Sequence, residues 1–303
     1  MAPRIHVGPE PDDRFTAAVE EGGATPAEDP QSAEAIVWLS GDPAGLVEVL
    51  HPGVRWVQLS SAGVEQWLDA GAIDAERRWT SAAGAYGETV ADHALALALA
   101  GRRRLHECAR RSTWDRAVEG RPLFGCTVAV VGAGAIGQAL IRLLEPWRCR
   151  IVAVTRSGRD VPGADVCLAA SDVEKVWPEA DVVVLAAPAT GATRHLVGAA
   201  ELERFKSEAV LVNVARGSLI DTDALAGALA AGRLGGAALD VTDPEPLPDD
   251  HPLWSEPRAL ITPHVANTED IRLRALADFT RENVARFARG EELRGLVDVD
   301  RGY

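Results

Sequence analysis

Short apolar runs alternate with amphipathic stretches along most of the chain, the pattern of βαβ units that build a parallel sheet. In the first third, residues 5–7, 35–39 and 54–59 read as strands, and residues 15–21, 44–50 and 64–70 as helices. Residues 89–104 predict one long helix dominated by alanine and leucine. Around 94–100 it is apolar nearly all round, which fits a buried or interface helix. A second βαβ series starts at Cys126, with Pro122 and Gly125 at its entrance. Its strands are expected at 127–131, 150–154, 182–186, 210–213, 236–240 and 259–262, and a last helix, about 268–288, stops at Gly290. The pattern predicts two α/β units.

Composition narrows the class. The 303 residues carry a net charge of −14, which argues against nucleic-acid binding through bulk electrostatics. Lys175 and Lys206 are the only lysines, so 29 of the 31 cations are arginines, the better fork for carboxylates and phosphates. Cys108, Cys126, Cys149 and Cys167 form neither a C-x-x-C nor a zinc spacing, so no disulfide framework and no metal is expected. No apolar run approaches a membrane span. The opening Met1-Ala2-Pro3-Arg4 lacks the apolar core of a signal peptide, and a cytoplasmic protein is the expectation.

Candidate chemistry enters with glycines. Val128–Val131 run into Gly132-Ala133-Gly134-Ala135-Ile136-Gly137 and then into an apolar helical stretch. In this strand, G-x-G-x-x-G, helix order, Gly132 serves the tight turn. Gly134 admits a pyrophosphate, and Gly137 allows close helix–strand packing. The helix N-terminus, at Ala135 and Ile136, supplies amide donors to the phosphates. An acid should end the next strand if the ribose carries a free 2′-hydroxyl. Thr155-Arg156-Ser157 stands there instead, which favours a 2′-phosphate and hence NADP(H), with NAD(H) still possible. A solvated loop arginine without preference is the plainer alternative for Arg156.

Three later segments place an arginine, a carboxylate and a histidine after strands of one sheet. They are Asn213-Val214-Ala215-Arg216-Gly217, Asp240-Val241-Thr242-Asp243-Pro244-Glu245, and Thr262-Pro263-His264. Ligands of open α/β sheets bind at such strand ends. His93 and His195 read as packing or surface residues. Core packing is the plainer reading of Trp67, Tyr86 and Trp114.

Taken together, and in this order, the motifs resemble the D-isomer-specific 2-hydroxyacid dehydrogenases. Those include D-lactate, D-glycerate and phosphoglycerate dehydrogenases and glyoxylate/hydroxypyruvate reductases. Ser61-Ala62-Gly63-Val64 is similar to the family's substrate-carboxylate loop, and Thr89-Val90-Ala91-Asp92-His93 to the start of its domain-linking helix. Arg216 and Glu245 stand 29 positions apart, the family's usual interval, and Glu245 and His264 stand 19 apart.

The resemblance implies two doubly wound domains: a Rossmann domain over 97–268, and a flavodoxin-like substrate domain over 1–96 to which 269–303 returns. The site is expected in the cleft, in a homodimer. Arg216 would bind the 2-oxoacid carboxylate and ketone oxygen, His264 would donate the proton, and Glu245 would support the imidazolium, raising its pKa. Ala62 and Gly63 would hold the substrate carboxylate. Asp240 would contact the nicotinamide amide, and Ala215, Pro188 and Thr193 would line the cofactor groove.

Some positions depart from the family pattern. Ala266 stands where glycine is frequent. Glu245 argues against the formate-oxidising branch, which carries glutamine there. With the sequence ending at Gly302-Tyr303, the serine-pathway type with a regulatory extension is not expected. NADPH-linked reduction of a small 2-oxoacid, glyoxylate or hydroxypyruvate, is the favoured expectation. An NAD-linked dehydrogenase of a bulkier D-2-hydroxyacid is the alternative, and a nucleotide-sensing, corepressor-like binding protein is the alternative of another class.

Overall fold

The computed structural model describes residues 2–114 and 116–299. The last residues of the tail, Gly302-Tyr303 among them, lie outside the described residues. The chain divides into two compact units, Met1–Tyr86 with Thr268–Tyr303, and Gly87–Asn267.

The first unit is built from β1 (Arg4–Gly8), α1 (Asp13–Glu21), β2 (Thr25–Pro26), β3 (Ala35–Trp38), α2 (Pro43–Val49), β4 (Trp56–Leu59), α3 (Glu65–Asp69) and β5 (Arg78–Thr80). All five strands are parallel, in the order β2-β1-β3-β4-β5, which is the flavodoxin-like winding. β3 and β4 are buried at every position, as expected of central parallel strands covered on both faces. Helix starts follow local chemistry. Asp12 caps α1 by accepting from the Arg14 amide at 2.9 Å. Asp42 caps α2 by accepting from the amides of Ala44 and Gly45, with Pro43 in the first helical position.

The second unit contains α4 (Gly87–Arg103), α5 (Leu105–Ala109), β6 (Thr127–Val131), α6 (Ala135–Leu144), β7 (Arg150–Thr155), β8 (Val166–Ala169), β9 (Val182–Leu185), α7 (Ala199–Leu202), β10 (Val210–Asn213), α8 (Thr222–Ala230), β11 (Gly236–Leu239) and β12 (Ala259–Ile261). Seven parallel strands run β12-β11-β10-β9-β6-β7-β8. From β8 inward this is the Rossmann order, and its reversal between β6 and β9 marks the ligand crevice. Valine, leucine and alanine from the strands pack with Trp177, Phe205, Leu225 and Leu229 in its core. The expected division at 96 falls inside α4, all of which belongs to this unit.

After Asn267 the chain rejoins the first unit through α9 (Glu269–Arg289), which packs on α1. Gly22 makes room there, because a β-carbon would come within 2.5 Å of Val284. Buried Asn283 donates to Gln58 Oε1 at 2.9 Å, and Thr80 donates to the same oxygen at 2.9 Å. These polar groups are removed from water and satisfied by one another, which ties α9 to β4 and β5. Gly290, at φ 70°, ends the helix in the left-handed region.

Three strands escaped the sequence pattern, β2, β5 and β8. All are sheet edges, two to four residues long; β2 and β8 are only partly buried, and β5 is a three-residue strand with Arg78 and Thr80 beside Trp79, so none writes a continuous apolar run. Trp67 and Tyr86 are buried as expected, their polar ends bonded to Ser61 Oγ and the Ser60 carbonyl. Trp114 corrects the core reading, being 93% exposed. Among the described residues, no helix is long and apolar enough to cross a membrane.

Candidate active site

The glycine loop leaves β6 and enters α6 through three glycines with three separate physical reasons. Gly132 has φ 101°, and a β-carbon there would lie 2.5 Å from the Ala187 nitrogen. At Gly137 it would lie 2.2 Å from the Gly132 carbonyl oxygen, so helix and turn can approach only without a side chain. Gly134 faces open space, with nothing within 4 Å of an added β-carbon. Beside that space stand Ala135 and Ile136, the first residues of α6, whose amides lack intrahelical acceptors. A turn shaped by its own packing, open at one glycine and capped by free helix amides, fits a pyrophosphate.

β7 flanks this loop directly, since the Gly132 amide donates to the Val154 carbonyl at 2.9 Å. Thr155 is buried and its hydroxyl has no partner among the described residues, whereas Arg156 and Ser157 are exposed. Arg159, which sequence reasoning passed over, donates from Nη2 to the Ala133 carbonyl at 3.1 Å and so leans over the glycine loop. Across the switch point, Thr193 Oγ1 donates to the Pro188 carbonyl at 2.8 Å and accepts from the Thr190 amide at 2.8 Å. That folds the segment after β9 into a compact turn.

Arg216, Glu245 and His264 come from loops after β10, β11 and β12, at the carboxyl ends of neighbouring strands of the same sheet. Buried Asn213 shapes the first loop. Its side chain accepts from the Ala215 amide at 3.0 Å and donates to the Arg216 carbonyl at 2.8 Å. Arg216 is half-buried, with Nη1 2.8 Å from the Ala215 carbonyl. The second loop presses against the first at Gly217 and is folded internally by Thr242 Oγ1, which donates to the Pro244 carbonyl at 2.9 Å. It delivers Glu245 Oε1 to 2.6 Å from His264 Nδ1. A carboxylate only accepts, so Nδ1 carries the hydrogen and Nε2 is the ring nitrogen left to exchange a proton. His264 has φ 53°, an unusual backbone state for a residue with a side chain.

Asp240 organises the third loop from beneath. Its carboxylate is almost wholly buried and accepts from Thr262 Oγ1 (2.6 Å), the Val265 amide (2.9 Å) and the Ala266 amide (3.0 Å). Burial pushes its pKa up, but hydrogen bonds from His93, Thr262 and the two amides outweigh it and hold the carboxyl at about 2. His93 thus departs from the packing or surface role expected of it, since its Nε2 stands 3.1 Å from Thr262 Oγ1 and 3.3 Å from Asp240 Oδ1. No local signal marked it, because its partners lie some 150 to 170 residues away in sequence. Ala62 and Gly63 belong to the first unit, on the loop after β4, where Ser61 Oγ donates to the Gly63 carbonyl at 2.7 Å.

A glycine turn of dinucleotide-binding form, an arginine and an acid-paired imidazole all follow strands of one parallel sheet, the arrangement expected of an NAD(P)-dependent oxidoreductase. Comparison with known proteins agrees. Residues 93–266 match the family model "D-isomer specific 2-hydroxyacid dehydrogenase, NAD binding domain". Over 295 residues the chain is 43% identical to an uncharacterized protein in the proB 3′ region of Corynebacterium melassecola, covering 95% of this chain and 96% of that one. It is 34% identical to a glyoxylate reductase of Korarchaeum cryptofilum over 229 residues, 73% of this chain and 69% of the relative. Among solved structures, a D-isomer specific 2-hydroxyacid dehydrogenase from Xanthobacter autotrophicus Py2, in complex with NADPH and MES, superposes with a TM-score of 0.85 at 26% identity, covering 100% of both chains. The chain belongs to the D-isomer specific 2-hydroxyacid dehydrogenase family and is an NAD(P)-dependent oxidoreductase.

Proposed function

We propose that the protein reduces a small 2-oxoacid, glyoxylate or hydroxypyruvate first, with NADPH. The observation that carries this reading is the 2.6 Å contact between His264 Nδ1 and Glu245 Oε1, at the carboxyl ends of the strands of the sheet that also bears Arg216 and the glycine loop. When bound, the nicotinamide supplies the hydride that reduces the carbonyl carbon. Arg216 binds the substrate carboxylate and the ketone oxygen, concentrating positive charge where negative charge develops. His264 gives the Nε2 proton to that oxygen, so hydride and proton together turn C=O into CH–OH. Glu245 keeps Nδ1 protonated and offsets the imidazolium charge. The amides near Ala62 and Gly63 are the proposed second hold on the carboxylate.

For the cofactor, Gly132, Gly134, Ala135, Ile136 and Gly137 hold the pyrophosphate, while Ala215, Pro188 and Thr193 line the groove. Asp240 Oδ2, which takes the Ala266 amide alone among the described residues, receives the nicotinamide carboxamide. The 2′-phosphate falls to Thr155, Arg156 and Ser157. Three things support NADPH: no acid ends β7, the buried Thr155 hydroxyl lacks a partner among the described residues, and the Xanthobacter structure holds NADPH. The glyoxylate reductase relative supports a small substrate. A homodimer in the cytoplasm completes the reading. Four free thiols, with that of buried Cys126 pushed up to about 12 by burial, suit a reducing compartment.

A panel of 2-oxoacids offered with NADPH and with NADH, followed by loss of reduced-nicotinamide absorbance, tests this. Highest kcat/KM for glyoxylate or hydroxypyruvate with NADPH is expected. Preference for NADH, or for a bulky 2-oxoacid, overturns it.

A further inference from the structure

The first two turns of α4 grip the far end of their own unit. Thr89 Oγ1 is hydrogen-bonded to Asn267 Oδ1, and His93, four residues on and on the same helix face, reaches Thr262 and Asp240. One helix face therefore holds both ends of segment 262–267, which carries His264.

The direction of each proton follows from the partners. The Asp240 carboxyl, held at about 2, is ionised at neutral pH and can only accept. The Thr262 hydroxyl, 2.6 Å from Oδ1, spends its single hydrogen there. Its oxygen can then only accept from His93 at 3.1 Å, so Nε2 of His93 carries a hydrogen. Asp240 passes this order on through the amides of Val265 and Ala266, the two residues after His264. The left-handed backbone of His264 is costly for a residue with a side chain and persists only where its surroundings impose it.

We infer that His93 is a positioning residue for proton transfer. Its Nε2–H is shared between the Thr262 hydroxyl and Asp240, the hydroxyl donates to Asp240, and Asp240 pins the amides that keep the His264 ring in place. The same helix braces the glycine loop, because Gly87 packs so closely on Ala135 that an added β-carbon would lie 3.1 Å from its backbone. One rigid element thereby sets the proton donor against the dinucleotide turn. His93 acts through Thr262 and Asp240, and the inference rests on the proposed reduction only for the step that His264 performs.

The test pairs steady-state kinetics with hydrogen exchange at the amides of Val265 and Ala266, in His93→Ala and His93→Gln. With His93→Ala, kcat falls about tenfold or more, because small misplacements of a reacting group are costly, while KM for the 2-oxoacid stays within about threefold. The two amides exchange faster. With His93→Gln, whose side-chain amide can donate to Thr262, most of both properties returns. Unchanged exchange and kcat in His93→Ala overturn the inference, as does a rise in KM with kcat intact. If the reaction assigned above were wrong, the exchange effect would persist while the kinetic effect vanished, so the two failures are distinguishable. Should His93→Ala not fold, Thr262→Val removes the hydroxyl link and must give the same losses; wild-type exchange there refutes the role.

Discussion

Gly217 and Thr242 are in backbone contact: a β-carbon at Gly217 would sit 1.9 Å from both the carbonyl carbon and oxygen of Thr242. The loop that carries Arg216 is thereby registered against the loop that carries Glu245, and neither can shift without the other. Gly217→Ala must separate them. The variant is expected to lose about 1–3 kcal/mol of stability, the usual cost of overpacking, and to lose turnover at temperatures where it remains folded. Urea unfolding and kcat, measured together, check this; wild-type values for both would show that the loops are not coupled.

Asp240 carries a pH signature. Its folded pKa of about 2 lies below the ordinary 3.8, so its contribution to stability is fully present above 3.8 and disappears as pH falls through about 2. The difference corresponds to about 2 kcal/mol. Urea titrations between pH 5 and pH 2 should show Asp240→Asn losing less stability on acidification than the wild type, by roughly that amount. Equal acid sensitivity would mean that the carboxylate is not held by its donors.

Cofactor choice is expected to reside at the end of β7. Arg156→Ala should raise KM for NADPH about tenfold, the scale of one charge-assisted contact, and leave KM for NADH unchanged. A parallel rise for both cofactors would place Arg156 away from the 2′ position.

Much of this was legible in the sequence because each chemical group follows an apolar strand. Val128–Val131 announce Gly132, Val210–Asn213 announce Arg216, and Thr262-Pro263 announce His264. Local order alone places such residues at one end of a parallel sheet. The pattern could not show the edges, where β2, β5 and β8 are too short or too half-buried to write a run. Nor could it show contacts made by folding. His93 meets Thr262 across 169 residues, and Arg159 reaches Ala133 across 26. Trp114 misled for the opposite reason, since a large aromatic side chain reads as core until the fold leaves it exposed.

The most direct measurement of the central claim is turnover of His264→Ala beside its affinity for NADPH. In this variant kcat for 2-oxoacid reduction is expected to fall by about 10²–10⁴, the scale of lost general acid catalysis, while NADPH binds within about twofold of the wild-type Kd. Turnover at the wild-type rate would contradict it.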